Sequence, residues 1–394
     1  MSKFFKHINL PLFAIITLIV MLVGLLFSRA VLSITHIIWL FFALAFLKKN
    51  QIQFGKELFI WSIAPLFLFW LGALQSLNDL KSYDYLLSLS TYSVAAITII
   101  AIADTSVCNK LMIAWLVICL ASVCYPLFHF LMHIQETIDA FGRGQSMVTP
   151  MDTDHVRYSL FICSALPIIW KMSQWSKLRK IMLSCLVGVI VLFLSVRTGW
   201  VALLILTTVI VFTQTYKNVQ SFLIQVAVIF AILGSAYFIF PTIQRKIDYS
   251  IYDWKNSKST TYQSNYSDAT RFAINKVSYN IIDKNPNVHV GWVNIPKAIE
   301  AEFSIQYSNV KPTYSWPFNQ FLFWYIGAGW WGCMAFVVWL LFPVAIGIKQ
   351  RNTMLVAWQL VVIASCFVES TLNFQYGIFL HAWVTAFLWK KDAA

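Results

Sequence analysis

The chain has 394 residues, of which 59% are hydrophobic, 16% aromatic and only 11% charged, with a net charge of +13. Soluble domains carry about 25% charged residues, and a chain at less than half that level cannot cover its surface with polar groups. Intrinsic disorder is excluded as well, because it requires few aromatic and branched apolar residues.

At about 20 residues per crossing, the apolar share supplies roughly a dozen spans, so the composition predicts an all-α polytopic membrane protein with about 12 transmembrane helices. The first apolar run follows Lys6 without a small-residue cleavage exit, which predicts a retained helix over 9–27 rather than a signal peptide. Further spans are expected at 30–47, 57–74, 86–103, 111–133, 158–171, 181–196, 199–214 and 220–240, then at 318–347, 353–367 and 376–389. The run 318–347 exceeds one crossing, so it should contain a bend or a break. Residues 241–317 have the composition of a soluble segment, polar at first and then helix-like from Ala273 to Ile282. Loops of such length are usually functional. The chain thus divides into helices 1–9 over 1–240, a large loop with short helices over 241–317, and helices 10–12 over 318–394.

The +13 is a matter of topology before it is one of partners. With the N-terminus inside, 15 of the 29 basic residues fall in inner segments: Lys3, Lys6, Lys48, Lys49, Lys56, Lys110, Lys171, Lys177, Arg179, Lys180, Lys217, Lys349, Arg351, Lys390 and Lys391. Short outer segments carry only Arg29, Lys81, Arg143, Arg157 and Arg197. The positive-inside rule therefore places both termini in the cytoplasm and the large loop outside. Carboxylates agree, since only Glu57, Asp104 and Asp392 of the 16 fall inside. A basic inner face suits anionic headgroups, and nucleic acid is not an expected partner. The seven cysteines show no CxxC spacing, so neither a disulfide frame nor a metal site is expected.

Charges near membrane depth are costly and mark candidate sites. Arg197, in Ser195-Val-Arg-Thr-Gly-Trp, lies between two apolar runs with almost no loop around it. It reads either as a turn arginine snorkelling to headgroups or as an anion-binding guanidinium held close by Gly199. Arg271 falls in the first turns of a helix that Ser267 or Asp268 can cap, where backbone N–H groups favour anions; the plain alternative is an exposed helix charge. In the aromatic stretch Tyr314 to Gly332, Pro317 suits a helix start, Asn319 and Gln320 could bond a sugar or headgroup, and Gly327, Gly329 and Gly332 permit a kink or close packing. Loop 134–157 offers Arg143, Asp152, Asp154, His155 and Arg157, matching no phosphate-loop spacing. His129 and His133 lack a third metal ligand and read as packing residues, and Glu369 reads as a solvated helix end.

Three of these motifs resemble one family. Arg197-Thr-Gly-Trp after a span, the Asp268-x-x-Arg271 helix followed by Asn285-Pro-x-x-x-x-Gly291, and Asn319-Gln-Phe-Leu before the glycine-rich Ile326 to Gly332 resemble the O-antigen ligase and O-antigen polymerase superfamily of bacterial envelope glycosyltransferases. The resemblance implies a GT-C type fold in the bacterial inner membrane, with one large periplasmic loop. It implies transfer of a glycan from undecaprenyl diphosphate to a hydroxyl of a glycolipid, polysaccharide or protein, by an inverting reaction without metal or other cofactor. Arg197 and Arg271 match the arginines that hold the donor diphosphate, with Asn319, Gln320, Arg143 and Arg157 as further binding candidates. One position departs: the family's general-base histidine is Phe318 here, and the next outer histidine is His289. That leaves three readings open, namely an impaired copy (natural or engineered), another base, or a different register. Outside the enzyme class, a lipid-linked-sugar flippase or a non-catalytic membrane receptor fits the same spans.

Overall fold

The structure, a computed structural model, describes residues 10–46, 55–74, 80–102, 105–215, 218–256, 267–307 and 312–389. Lys3, Lys6, Lys48, Lys49, Asp104, Lys217, Lys390, Lys391 and Asp392, used above for orientation, lie outside the described residues. Among the described residues every regular element is helical. In chain order these are α1 (Leu10–Phe27), α2 (Arg29–Phe46), α3 (Lys56–Ala73), α4 (Leu80–Ala101), α5 (Thr105–Ala121), α6 (Cys124–Met132), α7 (Ile134–Gly142), α8 (His155–Cys163) and α9 (Ala165–Lys171). They continue as α10 (Lys177–Leu194), α11 (Arg197–Thr215), α12 (Val219–Ile239), α13 (Pro241–Asn256), α14 (Ser267–Lys284), α15 (Ile295–Gln306), α16 (Gln320–Lys349), α17 (Thr353–Val368) and α18 (Gln375–Trp389).

Among the described residues, five helical stretches are long and apolar enough to cross a membrane: Lys56–Ala73, Tyr83–Ala101, Ser106–Met132, Arg197–Thr215 and Gln320–Lys349. Shorter apolar helices occur at Leu12–Phe27, Arg29–Phe41 and Thr353–Val368. The chain is thus a multi-pass helical membrane protein. Two of the expected single spans are interrupted. The stretch 111–133 breaks between α5 and α6, and 158–171 breaks between α8 and α9. Proline explains both, because Pro126 and Pro167 have no N–H for the carbonyls of Ser122 and Cys163 four residues earlier. At the second break the Ser164 hydroxyl donates to the Phe161 carbonyl at 2.6 Å and accepts from the Trp115 indole at 2.9 Å, so the break is bonded internally.

The helix α18 is the centre of the bundle: every residue from Tyr376 to Trp389 is buried. It packs on α4 and α17, while α16 packs on α3 and α17, and α11 packs on α17. Trp61 of α3 stacks on Trp339 of α16 with ring centroids 5.6 Å apart and planes 5° from parallel, and both meet His381 edge-on. Aromatic pairs of this kind add about 0.5–1.5 kcal/mol beyond their buried area.

The expected break in the long helix is real and has a partner. Gly329 sits at φ 75°, ψ 179°, a conformation open essentially to glycine. Such a break frees carbonyls of the preceding turn, which inside a membrane protein must be bonded elsewhere. Val290 and Gly291 bond them, donating their amides to the Ile326 and Gly327 carbonyls at 2.9 and 3.0 Å. Next in the chain, Trp292 keys the 241–317 segment into the bundle. Its indole N–H donates to the Phe69 carbonyl at 2.8 Å, and its ring presses on the bare faces of Gly72 and Gly327. A methyl group at either glycine would fall within 2.6 Å of that ring.

Candidate functional site

Arg197 owes its position to the tight junction between α10 and α11. Ser195 ends α10 in a left-handed conformation (φ 52°), and its hydroxyl donates to Thr242 Oγ1 at 2.9 Å, which ties the junction to the start of α13. Gly199 lets α11 approach α8, where an added Cβ would lie 3.0 Å from Ser159 Cβ. The Arg197 guanidinium then forms a two-pronged pair with Asp268, with Nη1–Oδ2 at 2.5 Å and Nη2–Oδ1 at 2.6 Å. Asp268 therefore does not cap α14. That role falls to Asp253 of α13, a fully buried residue whose carboxylate accepts from the amides of Asp268 at 2.7 Å and Ala269 at 3.2 Å. Its burial raises the Asp253 pKa above the ordinary carboxylate value.

Arg271, one turn along α14, pairs with Glu369 and donates to the Val368 carbonyl at 3.3 Å. Its guanidinium carbon lies 5.0 Å from the centre of the Phe318 ring, within cation–π range. Glu369 is only 5% exposed, so it is not the solvated helix end that its sequence context suggests. Arg157 approaches it from α8 at 4.0 Å, bonds Asp154 at 3.2 Å and the Ser370 carbonyl at 3.3 Å, and covers the Phe374 ring. The buried Nε of Arg157 has no hydrogen-bond partner among the described residues.

These groups face one cavity of about 860 Å³. Arg157, Arg197, Arg271 and Phe318 line it together, and so do two residues that sequence reasoning left out or ranked low, Lys246 and His155. The Lys246 ammonium reaches the carbonyls of Gly144 and Gln145 at 3.3 and 3.2 Å and the Ser146 hydroxyl at 3.5 Å. Burial, and then the charges of Arg197 and Arg271, lower its pKa to about 8. Burial and the Lys246 charge lower the pKa of His155 to about 4, so its ring is neutral near pH 7. One sequence signal could have found Lys246: on α13 it stands in a polar segment directly after an apolar span, as Arg197 does after another.

The cavity wall is also strained. Met151, Asp152 and Thr153 have φ of 66°, 53° and 64° in succession, and left-handed backbone costs roughly 1–2 kcal/mol per residue outside glycine. Neighbouring elements hold them there. The Met151 amide donates to the Leu26 carbonyl at 2.8 Å, and Asp152 is bound by Arg29 and by the Tyr376 hydroxyl, each at 2.8 Å. Strain of this kind collects at functional sites.

Other sequence candidates lie elsewhere. Asn319 caps α16, accepting from the amides of Phe321 and Leu322 at 2.9 and 3.2 Å. Gln320 is fully buried, with its amide group spent on Asn373 at 2.6 Å and on the Leu372 N–H at 2.8 Å. Asn319 also donates to the Phe367 carbonyl of α17 at 3.2 Å, and Gln320 fixes this end of α16 against the Glu369–Asn373 turn; neither lines the cavity. Arg143 is exposed and adjoins the wall without forming part of it. His289 bonds the Asn287 carbonyl at 2.8 Å, beside Gly329 and away from the cavity. His129 and His133 stack 4.9 Å apart, and among the described residues no three His, Cys, Asp or Glu groups are arranged to hold a metal.

A second, mainly apolar groove of about 350 Å³ runs between α11, α14 and α17. Arg197, Thr198 and Arg271 line both hollows, and Val201, Ala202, Val361, Ala364, Phe367 and Val368 continue the groove alone. A ligand lying across the two would place an anionic middle at the arginines and an apolar tail against the bundle.

A model of the O-antigen ligase family matches residues 181–337. The match runs from α10 into α16 and covers the short motifs on which the resemblance was read. Arg197, Lys246, Arg271 and Phe318 fall within the match, whereas Arg157, His155 and Glu369 fall outside it. No curated protein matches the chain.

Proposed function

We propose that the protein transfers a glycan from undecaprenyl diphosphate to an acceptor hydroxyl at the periplasmic face of the bacterial inner membrane, as an O-antigen ligase or, on the same scaffold, a polysaccharide polymerase. The observation that carries the reading is the position of Arg197 and Arg271 at the seam between a polar cavity and an apolar groove. The donor has the same order of parts: an isoprenoid tail, a diphosphate and a glycan. A guanidinium fork suits phosphate because it makes paired, charge-assisted hydrogen bonds. The excess of basic residues in the segments assigned inside supports a cavity that opens outward.

In this reading the acceptor oxygen attacks the anomeric carbon, the bond from that carbon to the phosphate oxygen breaks, and the diphosphate leaves with the electron pair. Attack opposite the leaving group inverts the centre. Arg197 and Arg271 stabilise the charge that develops on the leaving oxygen, which is worth most in a site that excludes water. The acceptor proton needs a base, and Phe318 cannot accept it. Glu369 is committed to Arg271 and Arg157. His155 is the neutral imidazole on the same wall, and this reading assigns it the proton, although its lowered pKa makes it a weak base.

The test is reconstitution with undecaprenyl-diphosphate glycan, following donor binding and transfer separately. Arg197→Ala and Arg271→Ala should each weaken donor capture on the order of 100-fold, and unchanged donor affinity in either would overturn the reading. His155→Gln should lower transfer with donor affinity kept, and Phe318→His added to it should restore turnover. Donor binding with no transfer in either background would instead identify a non-catalytic donor-binding protein.

A further inference from the structure

The cations lining the cavity are not equivalent. Arg197 is matched by Asp268, Arg271 by Glu369, and Arg157 by Asp154 with Glu369 close by. Lys246 is only 7% exposed, yet among the described residues no carboxylate lies within ion-pair distance of it. Its ammonium is served by two carbonyls and a hydroxyl at 3.2–3.5 Å, all neutral acceptors at long range. A buried charge held this way is expensive unless a counter-ion completes it. The surroundings sharpen the point. Arg197 of α11 and Arg271 of α14 face Lys246 and repel its charge, Asp268 of α14 and Asp253 of its own helix attract it, and His155 of α8 senses it.

We propose that Lys246 is a third phosphate-binding cation of this site, kept without a carboxylate partner so that the anion of the incoming ligand supplies one. The inference rests on the lipid-diphosphate reading above and adds a residue to it. Each arginine must give up a carboxylate before it can hold phosphate fully, whereas Lys246 gives up only neutral contacts. It is therefore the cation whose electrostatic gain on binding is least offset. A diphosphate carries more negative charge than a monophosphate, so it gains more from a third cation. The same contacts give binding a mechanical consequence. When Lys246 turns to phosphate it releases Gly144–Ser146, which line one wall of the cavity.

The experiment uses the full chain in lipid nanodiscs and measures binding of undecaprenyl diphosphate, undecaprenyl monophosphate and inorganic pyrophosphate to wild type, Lys246→Met, Lys246→Arg and Arg197→Ala, at pH 7 and pH 9. Lys246→Met should weaken diphosphate binding about tenfold or more and monophosphate binding less. Wild type should lose affinity between the two pH values as the ammonium deprotonates around pH 8, and Lys246→Arg, charged at both, should not. Pyrophosphate affinity that falls in parallel places the recognition in the phosphates; a loss confined to the lipid ligand overturns direct phosphate contact. If Lys246→Met binds as wild type while Arg197→Ala does not, the inference is wrong and the lipid-diphosphate reading stands. Equal losses in Lys246→Met and Lys246→Arg with an unmoved pH profile reduce Lys246 to a tether for the loop, which also overturns it. Failure of wild type to bind any of the three, or an unaffected Arg197→Ala, refutes the underlying reading and this inference with it.

Discussion

Two polar clusters lie inside this protein, and they are built on opposite plans. Around His381 in the middle of α18, the Tyr92 hydroxyl bonds Nδ1 at 2.9 Å, Nε2 bonds Gln359 at 2.9 Å, and Gln359 passes the chain to Thr385 at 2.7 Å. One assignment of protons satisfies every member, all are neutral, and the rings of Trp61 and Trp339 close the surroundings. In the cavity, by contrast, four cations share a wall with a strained backbone; among the described residues a buried guanidine nitrogen has no partner there, and the Lys246 ammonium meets neutral oxygens and the Phe141 ring. A network that is complete by itself specifies packing. One whose cations lack full partners has hydrogen-bonding capacity to spare.

Variants can break this contrast, and the largest effect belongs to the closed region. An alanine at Gly377 would put its Cβ 1.9 Å from the Thr371 carbonyl oxygen. Gly377→Ala should cost about 3 kcal/mol or more, beyond ordinary overpacking, and appear as loss of the folded peak in size-exclusion chromatography and a lowered melting temperature. Next come the cavity arginines. Arg197→Ala or Arg271→Ala should reduce transfer on the order of 100-fold, corresponding to about 3 kcal/mol of charge-assisted bonding. Arg197→Ala, whose pair is part-exposed, should change thermal melting little, whereas Arg271→Ala also strips the buried Glu369 of its nearest cation and should lower it. Gln359→Leu should do the reverse of Arg197→Ala. It strands His381 and Thr385 at a cost of about 1–3 kcal/mol, read by thermal melting, with donor affinity kept. Loss of donor binding in Gln359→Leu would erase the distinction between the two regions.

Smaller effects sharpen it. Transfer should follow a bell in pH. It requires His155 without its proton, a condition met above about pH 4, and Lys246 with its proton, a condition lost above about pH 8. A rate profile still rising at pH 9 would remove Lys246 from the binding step. Asp268→Asn frees Arg197 from its carboxylate, and because the pair is part-exposed and screened, donor affinity should tighten only severalfold in direct titration.

Some of this was legible in the residues. Arg197 and Arg271 stood out because charge beside apolar runs is rare and needs a reason, and the structure lines one cavity with both. The break in the long helix was legible from its excess length and its glycines. Arg157 was visible as a loop charge, though not as a neighbour of Glu369, which is 212 positions away in sequence. Asn319 and Gln320 carried the right chemistry for a sugar, but their polar atoms go to a helix cap and to a turn. Sequence cannot show that, because an amide bonds equally well to a ligand or to backbone.

Composition and hydropathy by themselves determined that the chain is helical and lies in a membrane, since a backbone in lipid must satisfy its own hydrogen bonds and an 11% charged chain has nowhere else to fold. The distribution of lysine and arginine likewise turned a net charge of +13 into an expectation about orientation. Only the tertiary structure decided which charges have partners. Ion pairing depends on distances of a few ångströms between residues tens to hundreds apart in the chain, and helix packing sets those distances. That packing matched each cavity arginine with a carboxylate, moved Glu369 from a solvated end to a buried counter-ion, and left Lys246 without one among the described residues.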